Sequence, residues 1–85
     1  MQKPYFVYLI ESINHGYLYK GFTEISVFDR LKHHNDGRSK YTNKYKPWKL
    51  KFYCAFDDKI MALNFETYLK TASGIAFTNK RFIKK

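Results

Sequence analysis

The longest unbroken apolar stretch is Tyr5–Ile10, closed by Glu11. Its shortness and its aromatic and β-branched content predict a buried strand. Ser12-Ile13-Asn14-His15-Gly16 carries turn chemistry, and Tyr17–Phe22 predicts a second strand forming a hairpin with the first. Ser26 and Asp29 have the spacing of a capping box and predict a helix start. That helix should run to about Asn35 and stop at Asp36-Gly37, where glycine tolerates a left-handed cap. A basic loop follows, closed by Pro47, and Trp48–Phe56 predicts a third strand. Asp57-Asp58 suit the start of a second helix, by capping and by the helix dipole. Met61, Phe65, Tyr68, Leu69 and Ala72 recur at helical spacing and should form its core face, with Ser73-Gly74 breaking it. Ile75–Phe82 is expected to be a short third helix. The order ββαβα(α) predicts an α/β (α+β) fold, a three-stranded antiparallel sheet flanked by helices, in one domain over residues 1–85.

Composition narrows the class. Eighty-five residues suit one domain, and an aromatic content of 20% excludes a disordered polybasic tail. No apolar run approaches the roughly 20 residues of a membrane helix. Lys3 and Pro4 lead directly into the first strand with no small-residue cleavage site, so no secretory signal is expected. The single Cys54 excludes an internal disulfide framework and suits a reducing, cytoplasmic setting.

The charge is +9, from 16 basic and 7 acidic residues, which implies a polyanionic partner. Arg38, Lys40, Lys44, Lys46, Lys49 and Lys51 fall in one segment that contains no acidic residue. Tyr41, Tyr45 and Trp48 lie among them, so the segment combines phosphate-neutralising cations with rings able to stack on bases. No basic amphipathic helix points to a membrane surface instead.

Three sets of residues bear on chemistry. His15, His33 and His34 make a poor zinc site, because adjacent helical histidines diverge by about 100° and no Cys or carboxylate stands at ligand spacing. Cys54 has no identifiable partner base and reads as a packed small residue. Tyr8, Tyr19, Arg30 and Glu66 lie on four different elements and would supply what phosphodiester hydrolysis needs if they converged: groups to handle a water proton, a cation for phosphoryl charge, and a carboxylate for a metal. Lys20 alternates away from Tyr19 toward the side that Leu18 and Phe22 help bury, so Lys20→Ile is expected to be neutral or stabilising.

The same residues carry a family resemblance. Phe6-Val7-Tyr8 and Leu18-Tyr19-Lys20-Gly21 stand where GIY-YIG nucleases have their two name-giving triplets. Arg30-Leu31 with His34-Asn35 and Gly37, Lys40-Tyr41-Thr42, Pro47-Trp48-Lys49-Leu50, Ala62-Leu63 with Glu66 and Leu69-Lys70, and Ser73-Gly74 with Ala76-Phe77 resemble the small standalone branch of that family, in the right order. The resemblance implies an endonuclease acting on DNA, in repair or recombination, with RNA as a further candidate substrate. It implies catalytic roles for Tyr8, Tyr19, Arg30 and Glu66, and one divalent cation, Mg²⁺ or Mn²⁺, held by Glu66. It leaves open which tyrosine acts as, or relays to, the general base. The basic segment, through Arg38, Lys40, Tyr41, Lys44, Lys46 and Lys49, is the expected nucleic-acid contact, with a protein partner as a further source of specificity. The rival reading is a non-catalytic nucleic-acid-binding module that keeps the fold.

Overall fold

In the computed structural model, which describes residues 3–83, three strands form one antiparallel sheet in the order β2-β1-β3. They are β1 (Tyr5–Ser12), β2 (Leu18–Thr23) and β3 (Trp48–Phe56). Four helices complete the chain: α1 (Val27–Asn35), α2 (Lys40–Asn43), α3 (Lys59–Leu69) and α4 (Ala72–Phe82). The predicted sheet and flanking helices are therefore observed. Lys80 and Arg81 near the end of α4 are followed in the sequence by Lys84 and Lys85, which lie outside the described residues.

The central strand β1 is buried on both faces, which is why its sequence is a continuous apolar run. Tyr8 and Ile10 face one layer with Val27 of α1 and Trp48, packed by Leu31, Tyr45 and Leu50. Val7 faces the other with Ala62 and Leu69 of α3, packed by Phe65 and by Phe77 of α4. Burying each such aliphatic side chain contributes about 1.5–3 kcal/mol.

A bulge separates these layers along β3. Leu9 pairs with Phe52 but Ile10 pairs with Leu50, so Lys51 is the extra residue. Trp48 and Leu50 consequently face the Tyr8 layer, whereas Cys54 and Phe56 join the Val7 layer. Trp48 is 2% exposed, which corrects its assignment as a base-stacking ring. Its indole Nε1 donates to the Thr42 carbonyl at 2.8 Å. Its backbone is held by the Asn35 side chain, whose Oδ1 accepts from Trp48 N at 2.6 Å and whose Nδ2 donates to Trp48 O at 3.1 Å.

Local signals explain most helix boundaries. Ser26 Oγ accepts from Phe28 N at 3.2 Å at the start of α1, and Gly37 adopts φ +83° just beyond its end. Asp58 Oδ1 accepts from Met61 N at 3.0 Å at the start of α3. Three expectations are corrected. The basic loop contains the one-turn helix α2. Helix α3 ends at Leu69, with Lys70 as its cap, and not at Ser73-Gly74, because Thr71 Oγ1 accepts from Gly74 N at 3.1 Å and starts α4 there. The core face of α3 is Ala62, Phe65 and Leu69, while Met61 and Tyr68 point outward and Ala72 is exposed.

Lys20 also departs from expectation. It does lie on the α3 side, but its ammonium donates to the Leu69 carbonyl at 2.7 Å, at the end of α3 where carbonyls lack helical partners. The positive charge suits the negative end of the helix dipole. A charge-assisted bond contributes about 1.5–3 kcal/mol, partly offset by desolvation of the amine. Lys20→Ile is therefore expected to destabilise the fold by about 1 kcal/mol. Denaturant unfolding checks this, and an unchanged midpoint would show that desolvation cancels the bond.

Candidate active site

Tyr8 pairs across the sheet with Gly21 of β2. A Cβ at Gly21 would overlap the Tyr8 Cζ and Oη, so only glycine lets the tyrosine ring lie across the edge strand. The residue after Lys20 is thus a steric requirement of Tyr8 itself.

The Tyr8 hydroxyl meets His34 Nε2 at 2.8 Å, and His34 Nδ1 meets Thr42 Oγ1 at 2.7 Å. All three residues are essentially buried. One assignment of protons gives every donor an acceptor: Tyr8 donates to Nε2, Nδ1–H donates to Thr42, and Thr42 donates to the Ser39 carbonyl at 3.5 Å. The opposite tautomer would leave the buried phenol proton without a protein acceptor. His34 is therefore a neutral ring presenting a lone pair to Tyr8.

Arg30 stands one helical turn before His34, so both reach the same face of α1. Burial raises the Tyr8 pKa; the Arg30 guanidinium beside its hydroxyl opposes the rise, and Tyr19 and Glu66 add to it. Tyr19, Arg30 and Glu66 thus each exert an electrostatic effect on the Tyr8 hydroxyl. Arg30 is half-buried, and no carboxylate among the described residues pairs with it. A guanidinium in that setting is suited to an anion from outside.

Tyr19 is packed against the Tyr8 layer, with its ring centroid 6.4 Å from that of Tyr8 and 5.2 Å from that of His34. Glu66 interrupts the core side of α3 between Phe65 and Leu69, with 19% of its side chain exposed. The Lys70 ammonium lies 3.3 Å from its Oε2. Among the described residues no group of three His, Cys, Asp or Glu is placed to share a metal. The donor set near Tyr8 is one carboxylate, which fits a hard cation that keeps waters and takes substrate phosphate oxygens. Both nitrogens of His34 are already engaged within the protein.

His34 was singled out in the sequence only as part of a motif and as a poor zinc ligand. Its role is set by burial, which together with the charges of Arg30 and His33 lowers its pKa from 6.5 to about 4. The folded pKa lies below the unfolded one, so the unfolded chain binds the extra proton and stability falls as pH drops through this window. Between pH 7 and 5, above most carboxylate titration, the expected loss is about 2 kcal/mol. Thermal melts across that range check it. His34→Gln should be less stable at pH 7 but show a shallower fall.

The basic segment divides. Arg38, Lys40, Lys44 and Lys46 are exposed on and around α2. Lys49 and Lys51 are each 3.6 Å from Glu11, so Lys49 is a partnered cation, unlike the other expected contacts. Tyr41 is 50% exposed and stacks on Tyr19 at 6.0 Å. Cys54 is half-buried and burial raises its pKa, which keeps it a thiol.

Tyr8, Tyr19 and His34 thus meet on one face of the sheet, with Arg30 and Glu66 acting on the Tyr8 hydroxyl by charge. A family model described as the GIY-YIG catalytic domain matches residues 4–80, and the chain belongs to the GIY-YIG family, a nuclease family. It is also similar to the UPF0213 protein of Bacillus licheniformis, at 39% identity over 67 residues that cover 78% of this chain and 68% of the relative. No helix among the described residues is long and apolar enough to cross a membrane.

Proposed function

We propose that this chain is a metal-dependent endonuclease that hydrolyses phosphodiester bonds in DNA. Tyr8, Tyr19, Arg30 and Glu66 form its catalytic set, and His34 is the base behind Tyr8. The observation that carries this reading is the buried Tyr8–His34 bond with a guanidinium beside it that no carboxylate among the described residues pairs with.

Arg30 receives the scissile phosphate and offsets charge developing on its oxygens. As water attacks, Tyr8 Oη accepts its proton while passing the phenol proton to His34 Nε2. The resulting hydroxide bonds to phosphorus, and the bond to the leaving oxygen breaks with its electron pair going to that oxygen. A phenol that loses one proton as it gains another never carries full negative charge, so its raised pKa is no obstacle. At a resting pKa of about 4, His34 is a weak base. Arg30 is one cause of that weakness, so a phosphate bound to Arg30 strengthens the base when substrate arrives. Glu66 would hold Mg²⁺ or Mn²⁺, which supplies positive charge to the phosphoryl and leaving oxygens.

Arg38, Lys40, Lys44 and Lys46 supply sequence-independent phosphate contacts. Replacing Lys40, Lys44 and Lys46 with Ala should reduce the slope of log K against log salt by roughly 0.7–0.9 per lost contact. The function itself is tested by incubating the protein with labelled duplex, nicked, branched and single-stranded DNA, with Mg²⁺ or with chelator. Cleavage that requires the cation supports the proposal. Salt-sensitive binding with no cleavage of any substrate would replace it with a non-catalytic binding module.

A further inference from the structure

We propose that the cavity beside Tyr19 is a subsite for an unpaired nucleobase, so that the substrate is single-stranded at the bond to be cut or immediately next to it. This rests on the nuclease reading and specifies its substrate class.

The cavity has a volume of about 450 Å³ and is lined by Leu18, Tyr19, Lys20, Tyr41, Lys70 and Ile75. These residues come from β2, α2, the end of α3 and α4, so the cavity spans the sheet edge where the two helical layers meet. Its volume falls within the range of small-molecule pockets, roughly 300–1,000 Å³. Two tyrosine rings, a leucine and an isoleucine provide flat and apolar walls, and two ammonium groups provide positive charge. Lys20 is committed to the Leu69 carbonyl, whereas Lys70 is 58% exposed in its side chain and also touches Glu66. One lysine therefore belongs both to the cavity and to the carboxylate at the proposed site of cleavage. A base in the cavity would leave its own phosphate beside that carboxylate.

A second observation gives the strand a path. Tyr19 and Tyr41 stack at 6.0 Å, Tyr41 meets Tyr45 at 5.4 Å, Tyr45 meets Tyr17 at 4.9 Å, and Tyr17 stacks on His15 at 5.6 Å. The aromatic series runs from the proposed active site to the β1–β2 turn. Tyr41 and Tyr17 are 50% and 49% exposed, in contrast to Trp48 at 2%. Exposed Lys40, Lys44 and Lys46 accompany it. A paired duplex keeps its base faces stacked internally, so it gains little from exposed rings. An unpaired strand offers each base face to a ring and each phosphate to a lysine, with little dependence on base identity.

The test compares binding of one labelled DNA sequence as a single strand and as a blunt duplex, in chelator so that nothing is cut. The single strand should bind more tightly. Tyr41→Ala should weaken single-strand binding roughly 5- to 100-fold, far more than it weakens duplex binding, and Tyr41→Phe should retain it. Ile75→Glu, at another lining residue that is 45% exposed, gives an independent reading should Tyr41→Ala fail to fold. It should also reduce single-strand affinity selectively. Equal loss for both DNAs, or no loss in any folded variant, overturns the subsite and leaves the nuclease reading standing. Failure to bind any nucleic acid overturns the nuclease reading, and the subsite with it.

Discussion

Tyr8→Phe is expected to lower the rate of cleavage by about 10²–10⁴-fold while leaving DNA affinity nearly unchanged. Phenylalanine keeps the ring that fills the core between β1 and α1 but removes the hydroxyl that exchanges protons with water and His34. It leaves the buried His34 Nε2 without its donor at 2.8 Å, which should cost about 1–3 kcal/mol of stability. The kinetic loss must therefore be measured well below the melting temperature of the variant. His34→Gln separates chemistry from support. Glutamine can still accept a hydrogen bond from Tyr8 but is a far weaker proton acceptor, so kcat should fall with KM little changed. Gly21→Ala approaches the same hydroxyl from another side, because the added methyl overlaps Cζ and Oη and must displace the ring. Overpacking of that kind typically costs about 1–3 kcal/mol, and cleavage should fall with it. If Tyr8→Phe cuts as fast as wild type, the proton path does not run through Tyr8, and Tyr19 becomes the tyrosine to test.

What the sequence discloses here is mainly local. The strands follow from short apolar runs, and the starts of α1 and α3 follow from Ser26 and Asp58, whose side chains accept from nearby backbone amides. Sheet register was harder to read. The bulge at Lys51 reverses alternation along β3 and carries Trp48 into the core, and no composition rule marks that residue as the extra one. The helical period of α3 places Phe65 and Leu69 inward as expected, but Met61 and Tyr68 are apolar yet outward, while the small Ala62 is buried. Once Ala62, Phe65 and Leu69 are seen as the inner side, the largely buried carboxylate at position 66 beside them stands out. Tyr8, Tyr19, Arg30 and Glu66 are identifiable from residue type and motif order, but the influence of the other three on the Tyr8 hydroxyl depends on tertiary structure. His34 shows the limit most clearly. Its sequence neighbourhood of charged and polar residues suggests an exposed helix, and only packing against Tyr8 and Thr42 makes it a neutral buried base.

Glu66→Gln carries the largest expected effect after Tyr8. The change preserves side-chain volume and helix propensity but removes the one carboxylate charge among the described residues that acts on Tyr8, and with it the group proposed to hold a hard divalent cation. It also breaks the Glu66–Lys70 pair, whose ammonium is 58% exposed in its side chain, so the loss of stability should stay within about 1 kcal/mol. The variant should therefore fold, bind DNA through Arg38, Lys40, Lys44 and Lys46, and fail to cut. Arg30→Ala is expected to lose cleavage too, by about 10²–10³-fold, since no second guanidinium among the described residues acts on Tyr8. The two variants should differ in how they respond to cation. Raising Mg²⁺ can partly restore Glu66→Gln if the defect is in affinity, whereas Arg30→Ala lacks a group that contacts phosphate and should not respond. Rates are therefore compared across a Mg²⁺ titration, with binding measured in chelator. Equal cleavage by wild type and Glu66→Gln at every concentration would remove the carboxylate from the mechanism. Partial rescue of Glu66→Gln alone would instead assign the cation to Glu66 and the phosphate to Arg30.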